Sequence, residues 1–125
     1  MVTLPKKVLI IDDDKAFGNM VGAAFKAQGF EVSVAFDGEA GLKLFNDNPV
    51  PIIITDVAMP GLNGFQVAAE IRKQEPADQH TIIVIMTAHA LTFEVSKEFD
   101  RGIDSYLTKP ILPVDIVAHI ETLIN

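Results

Sequence analysis

The segment Val8–Phe17, "VLIIDDDKAF", sets an apolar run against three consecutive aspartates. Val8, Leu9, Ile10 and Ile11 carry no polar residue at alternate positions, so they read as a strand buried on both faces. Asp12, Asp13 and Asp14 then crowd the strand end. At an effective dielectric of about 20, two carboxylates about 4 Å apart repel by roughly 4 kcal/mol. That is a sizeable share of a domain's net stability, so the rest of the chain must bring something to offset it.

Outward from this segment, short β-branched runs alternate with longer amphipathic ones. Strands are expected at Val8–Ile11, Glu31–Ala35, Ile52–Thr55, Ile82–Thr87 and Ser105–Thr108. Helices are expected at Lys15–Gln28, Gly38–Asn46, Gly64–Gln74, Thr92–Asp100 and Pro113–Ile124, the last with Ile116, Ile120, Leu123 and Ile124 on one stripe. Asn63 and Gln66 have the spacing of a capping box, and Gly29 and Gly102 stand where helices end. Alternation of this kind gives a parallel sheet with helices on both faces, because each crossover must be right-handed. Sites in such sheets form beyond the carboxyl ends of the strands. No linker, repeat or low-complexity tract interrupts residues 1–125, which read as a single domain.

Composition narrows the function. Hydrophobic residues make up 49% and charged residues 22%, a globular balance, and the formal charge of −7 disfavours nucleic acid or an anionic membrane as a direct partner. There is no cysteine, which excludes thiol chemistry and fits a cytoplasmic protein. No apolar run is long enough to insert in a bilayer.

The expected strand ends carry the chemistry. Asp12–Asp14 follow the first, Asp56 ends the third before a turn with Pro60, Gly61 and Gly64, Thr87 ends the fourth, and Lys109 follows the fifth. Clustered carboxylates suit a hard divalent cation with oxygen ligands. A carboxylate can also act as a nucleophile toward phosphorus, a transfer that needs alignment, a metal, and cationic or hydroxyl donors such as Lys109 and Thr87. A metal, with a phosphoryl group behind it, is the expected answer to the crowded aspartates.

The ordered set "IIDDD", "TDVAMPGLNG", "MTAHA" and "YLTKP" resembles the receiver domain of bacterial two-component response regulators, from about Lys7 to Ile124. The resemblance implies a doubly wound, flavodoxin-like α/β fold, with strand order 2-1-3-4-5 and five flanking helices. It also implies that Asp56 is the phosphoacceptor, that Asp12, Asp13, Asp56 and the backbone carbonyl of Ala58 bind Mg²⁺ or Mn²⁺, and that Lys109 pairs with Asp56 or the phosphoryl oxygens. Thr87 and Tyr106 would switch the face formed by the fourth helix, fifth strand and fifth helix, and the Lys109–Pro110 bond would be cis. The implied partners are a sensor histidine kinase or histidine phosphotransfer domain and a downstream protein. Such a chain is a signalling phosphoacceptor that promotes its own phosphorylation and dephosphorylation rather than an enzyme. Ala58 and His89, two residues beyond Asp56 and Thr87, border the approach of a hydrolytic water. Ala58 offers only packing there, whereas a neutral His89 could orient the water.

Other patterns explain less. A haloacid-dehalogenase-type phosphatase would use Asp12 and Asp14 but leaves Asp56 without a role, and a nucleotide carrier of the same architecture needs a Gly/Ser/Thr loop where the aspartates stand. A receiver-like module without phosphoacceptor chemistry would not need the intact acceptor set. Asp14 reads as a cap for the first helix. His80, His89 and His119 have no metal-ligand spacing, and His119 is expected to face water. Phe17, Met20, Val21, Ala24 and Phe25 read as a core stripe, with Gly18 and Gly22 on another face, either simply tolerated there or open to a partner helix. No output domain follows Ile124, so the expected modes of action are docking, onward phosphotransfer, or membership of a longer chain.

Overall fold

A computed structural model of the chain describes residues 5–88 and 102–124. Within them lie β1 (Lys7–Ile11), α1 (Lys15–Ala27), β2 (Glu31–Ala35), α2 (Gly38–Asp47), β3 (Ile52–Asp56), α3 (Gly64–Gln74), β4 (Ile82–Thr87), β5 (Ser105–Thr108) and α4 (Pro113–Ile124). The helix expected at Thr92–Asp100 falls outside the described residues. All strand pairs are parallel, in the order β2-β1-β3-β4-β5. This is the expected doubly wound architecture, with β1 starting one residue earlier, β3 ending one later, and α1 and α2 each shifted by one at their ends.

The strand sequences dictate two cores. Because side chains alternate across a sheet, Val8, Ile10, Ile52, Ile54, Val84 and Met86 face one way, against Val21 and Phe25 of α1 and Ile116, Val117 and Ile120 of α4. Leu9, Ile11, Ile53, Ile83 and Ile85 face the other, against Phe45 of α2 and Val67, Ala68 and Ile71 of α3. Ile52, Ile53 and Ile54 are fully buried, each contributing roughly 1.5–3 kcal/mol. The three together outweigh a carboxylate repulsion of roughly 4 kcal/mol at the strand end. Burial can therefore hold an unfavourable charge cluster in place.

Local signals act where expected. Asn63 and Gln66 form a reciprocal capping box opening α3. Gly29 follows the cap of α1 with a positive φ of 85°, which glycine adopts without a Cβ penalty. Pro113 opens α4, and the Lys109–Pro110 bond is cis.

Three expectations about faces are corrected. Met20 is 54% exposed and does not belong to the core stripe. Gly18 and Gly22 are buried against β2, where a Cβ on Gly22 would stand 3.2 Å from Val34 and 3.3 Å from Val32. They admit the helix to its own sheet, so no partner helix can use them. His119 is half-buried, with Nε2 2.8 Å from the Ser105 hydroxyl of β5 rather than in water.

Candidate functional site

The strand order sets the carboxyl ends of β1, β3, β4 and β5 side by side. Alternation then aims the side chains. Asp12 extends the series Val8–Ile10, Asp56 extends Ile52–Ile54, and Lys109 extends Leu107, all on the face covered by α1 and α4. The polar groups thus form the next layer beyond the apolar ones. Asp12 is 0% exposed and Asp56 9%, while Asp13, on the opposite parity, is exposed.

Lys109 joins the two buried acids. Its Nζ donates to Asp12 Oδ2 at 3.0 Å and to Asp56 Oδ2 at 3.4 Å. Asp56 Oδ1 accepts from the Val57 N–H at 2.9 Å, and Asp12 Oδ1 accepts from the Asp14 N–H at 2.9 Å. The third aspartate turns away from the cluster, and its carboxylate caps α1 by accepting from the Phe17 N–H at 3.0 Å. Part of the repulsion in "DDD" is therefore relieved within the chain, by one ammonium and one helix cap. A metal is not the whole answer.

The charges remain unbalanced. Burial pushes the Asp56 carboxyl above its ordinary pKa; Lys109 pulls it down and the Asp12 charge pushes it up, leaving a net rise. For Lys109, burial opposes the charge, but the Asp12 hydrogen bond and charge, followed by those of Asp56, outweigh it and raise the pKa. The lysine is held firmly charged and sits closer to Asp12, so Asp56 is the less compensated acid.

One carboxylate oxygen from each of Asp12, Asp13 and Asp56 lies within 4.8 Å of the others. An all-oxygen set with one exposed member fits a hard divalent cation that keeps some of its water. Ala58 is exposed in the turn after β3. Thr87 is buried at the end of β4, and its carbonyl accepts from the Lys109 N–H at 2.7 Å. Thr87 pairs with Thr108 and Ile85 with Tyr106, which puts the half-buried Tyr106 two residues below the rim on the Thr87 side of the sheet. His89 lies outside the described residues.

Two residues named from the sequence, Gly64 and Phe17, have roles at the site that sequence reasoning did not assign them. Gly64 donates its N–H to the Val57 carbonyl at 2.9 Å, and a Cβ there would collide with the Asp56 carbonyl, so α3 can start this close to the acceptor only at a glycine. The ring of Phe17 lies over Lys109, with Nζ 4.8 Å from its centroid. The available signal was its position, five residues after Asp12, in the first turn of α1.

Residues 8–121 match the family described as the response regulator receiver domain. The chain is 30% identical over 120 residues to the DNA-binding response regulator MtrA of Mycobacterium tuberculosis, covering 96% of this chain and 51% of that protein. It spans about half the length of the curated relatives it matches. Among solved structures, the chemotaxis response regulator CheY4 of Vibrio cholerae superposes with a TM-score of 0.86 at 28% identity, covering 95% of this chain and 98% of that one. The receiver domain of the Francisella response regulator 1452 gives 0.83 at 33% identity, covering 94% and 95%.

Proposed function

The chain belongs to the response regulator receiver domain family, and on that premise we propose that it takes a phosphoryl group from a phosphohistidine onto Asp56, with Mg²⁺ or Mn²⁺ held by Asp12, Asp13, Asp56 and the Ala58 carbonyl. The observation that carries this reading is Asp56 itself, an under-compensated carboxylate at a strand end that shares one lysine with Asp12. An Asp56 carboxylate oxygen forms the bond to phosphorus as the bond from phosphorus to the donor imidazole nitrogen breaks. The electron pair leaves on that nitrogen, which takes up a proton. A bound cation would supply positive charge to the phosphoryl oxygens, whose repulsion by three aspartates would otherwise block approach. Lys109 supplies a second positive charge, with its Nζ 3.4 Å from Asp56 Oδ2.

Thr87 and Tyr106 are the residues through which the added charge would alter the face around β5 and α4, presented to a downstream protein. The donor is a sensor histidine kinase or a histidine phosphotransfer domain, and the setting is cytoplasmic. The role is that of a signalling phosphoacceptor, with the acyl phosphate later lost to water at a rate to which Ala58 and His89 are candidates to contribute. The test is incubation with acetyl phosphate and Mg²⁺, followed by intact mass. One phosphoryl group is expected on the wild type and none on Asp56→Asn or in excess chelator; full labelling of either would overturn the assignment.

A further inference from the structure

We propose that Phe17 is a positioning residue for Lys109, and that Asp12 and Asp14 form the frame that sets it in place; the role of the lysine in phosphoryl transfer rests on the reading above. Lys109 Nζ has three N–H donors. Asp12 Oδ2 takes one at 3.0 Å, Asp56 Oδ2 lies at 3.4 Å, and the Phe17 ring covers the ammonium at 4.8 Å from its centroid. The negative face of an aromatic ring attracts a cation, and more strongly as water is removed. The Lys109 side chain is 23% exposed. Lys6 over Phe30 and Lys15 over Phe36 are longer contacts, 5.4 and 5.5 Å, made by exposed lysines.

The frame closes on itself. Asp12 binds Lys109 through Oδ2 and the Asp14 N–H through Oδ1. Asp14 in turn fixes the Phe17 backbone by accepting its N–H, and the Phe17 side chain returns over Lys109. A lysine on a flexible four-carbon stem gains most from such a circuit, because it must otherwise be ordered when the phosphoryl group arrives. The ring also forms one wall, with Ala88, Pro110 and Ile111, of an open cleft of about 460 Å³ beside the lysine. A smaller side chain there would admit water to the ammonium.

The experiment separates the ring from mere bulk. Phe17→Leu keeps apolar volume, and Phe17→Tyr keeps the aromatic face. Phosphorylation by acetyl phosphate at saturating Mg²⁺ should slow about two- to fivefold in Phe17→Leu, as expected for the loss of one cation–π contact, and recover in Phe17→Tyr. In metal-free protein, the ε-methylene protons of Lys109 should show an upfield ring-current shift in wild type and Phe17→Tyr that is absent in Phe17→Leu. Equal slowing in both variants, or a wild-type rate in Phe17→Leu, would overturn the positioning role. Should the wild type take up no phosphoryl group, the acceptor reading falls, while presence or absence of the ring-current shift still decides whether Phe17 holds the lysine.

Discussion

The two ends of the sheet both carry clusters of charge, and they are built in opposite ways. At the amino end, Arg72 of α3 donates to the carbonyls of Thr81 and Gly102, to Glu75 at 3.1 Å and to Asp104 at 2.9 Å. Asp104 also accepts from the Ile83 N–H and lies 2.8 Å from His80, and Glu75 accepts from the Thr81 N–H. Each charge meets an opposite charge or a backbone donor, and the network ties α3 to the starts of β4 and β5. At the carboxyl end, three carboxylates cluster and one ammonium bonds two of them, Asp12 and Asp56. The first arrangement ties α3 to the sheet; the second leaves negative charge that, on the proposed function, a bound cation would offset before an anionic phosphoryl group could approach. Incomplete compensation marks the end where the proposed site lies.

The largest effect should come from breaking the compensated end. Arg72→Met removes the guanidinium, leaving the carbonyls of Thr81 and Gly102 without that donor and the Glu75 and Asp104 charges with only their backbone N–H and His80 contacts. The side chains involved are 17%, 16% and 27% exposed, so water relieves part of the loss, and destabilisation of about 2–3 kcal/mol is expected. Urea unfolding measures it. Phosphorylation of the folded variant should stay within about twofold of wild type. A stability loss below about 1 kcal/mol would mean that the amino-end network is not a clamp, and the contrast would fail.

The carboxyl end should respond with the opposite sign. In chelator, Asp56→Asn should raise stability by on the order of 1 kcal/mol, because it removes a buried, under-compensated charge. Asp13→Asn should gain less, since Asp13 is exposed. In excess Mg²⁺ the Asp56→Asn advantage should shrink or reverse as the carboxylate finds a partner. The pH dependence follows from the raised folded-state pKa of Asp56. Between its unfolded and folded values the native state binds more protons, so stability rises as pH falls through the folded pKa and the gain is complete below the unfolded one. The advantage of Asp56→Asn in chelator should therefore diminish as the pH is lowered through that window. An Asp56→Asn protein less stable than wild type in chelator at neutral pH would show that Lys109 compensates the acids fully.

The carboxyl end was the more legible of the two in the sequence. Its acids are adjacent in the chain or terminate apolar runs, so β-branched strands and a turn rich in proline and glycine were enough to align them. What stayed hidden depends on tertiary reach. The Asp12–Lys109 bond spans 97 positions, and its preference over Asp56 depends on how the chain turns after β5. The amino-end network was not legible at all, because Arg72 gathers partners from loops with no periodic pattern. The faces of α1 were misassigned for a simpler reason. Its buried face is Gly18, Val21, Gly22 and Phe25, a regular helical stripe, but glycine adds no apolar signal. A stripe sought by hydrophobicity therefore drifts to Met20.

Those glycines provide the smallest test, one that separates charge from shape at the carboxyl end. A methyl group on Gly18 would stand 3.4 Å from Val34 Cγ1 and 3.8 Å from Asp12 Cβ, ordinary contacts that change no charge. Gly18→Ala should therefore gain most of the helix-propensity difference, about 0.5–1 kcal/mol. On Gly22 the same methyl would press on Val34 at 3.2 Å and Val32 at 3.3 Å. The edge strand β2 must yield to admit it, so Gly22→Ala should come out within about 0.5 kcal/mol of wild type. Because Gly18 lies against Asp12, its variant also reports on the site. If charge balance governs the carboxyl end, the stabilised Gly18→Ala protein should take phosphoryl groups from acetyl phosphate at the wild-type rate. Slower labelling despite higher stability would show that the fit of α1 over Asp12, and not charge alone, sets the reactivity of the rim.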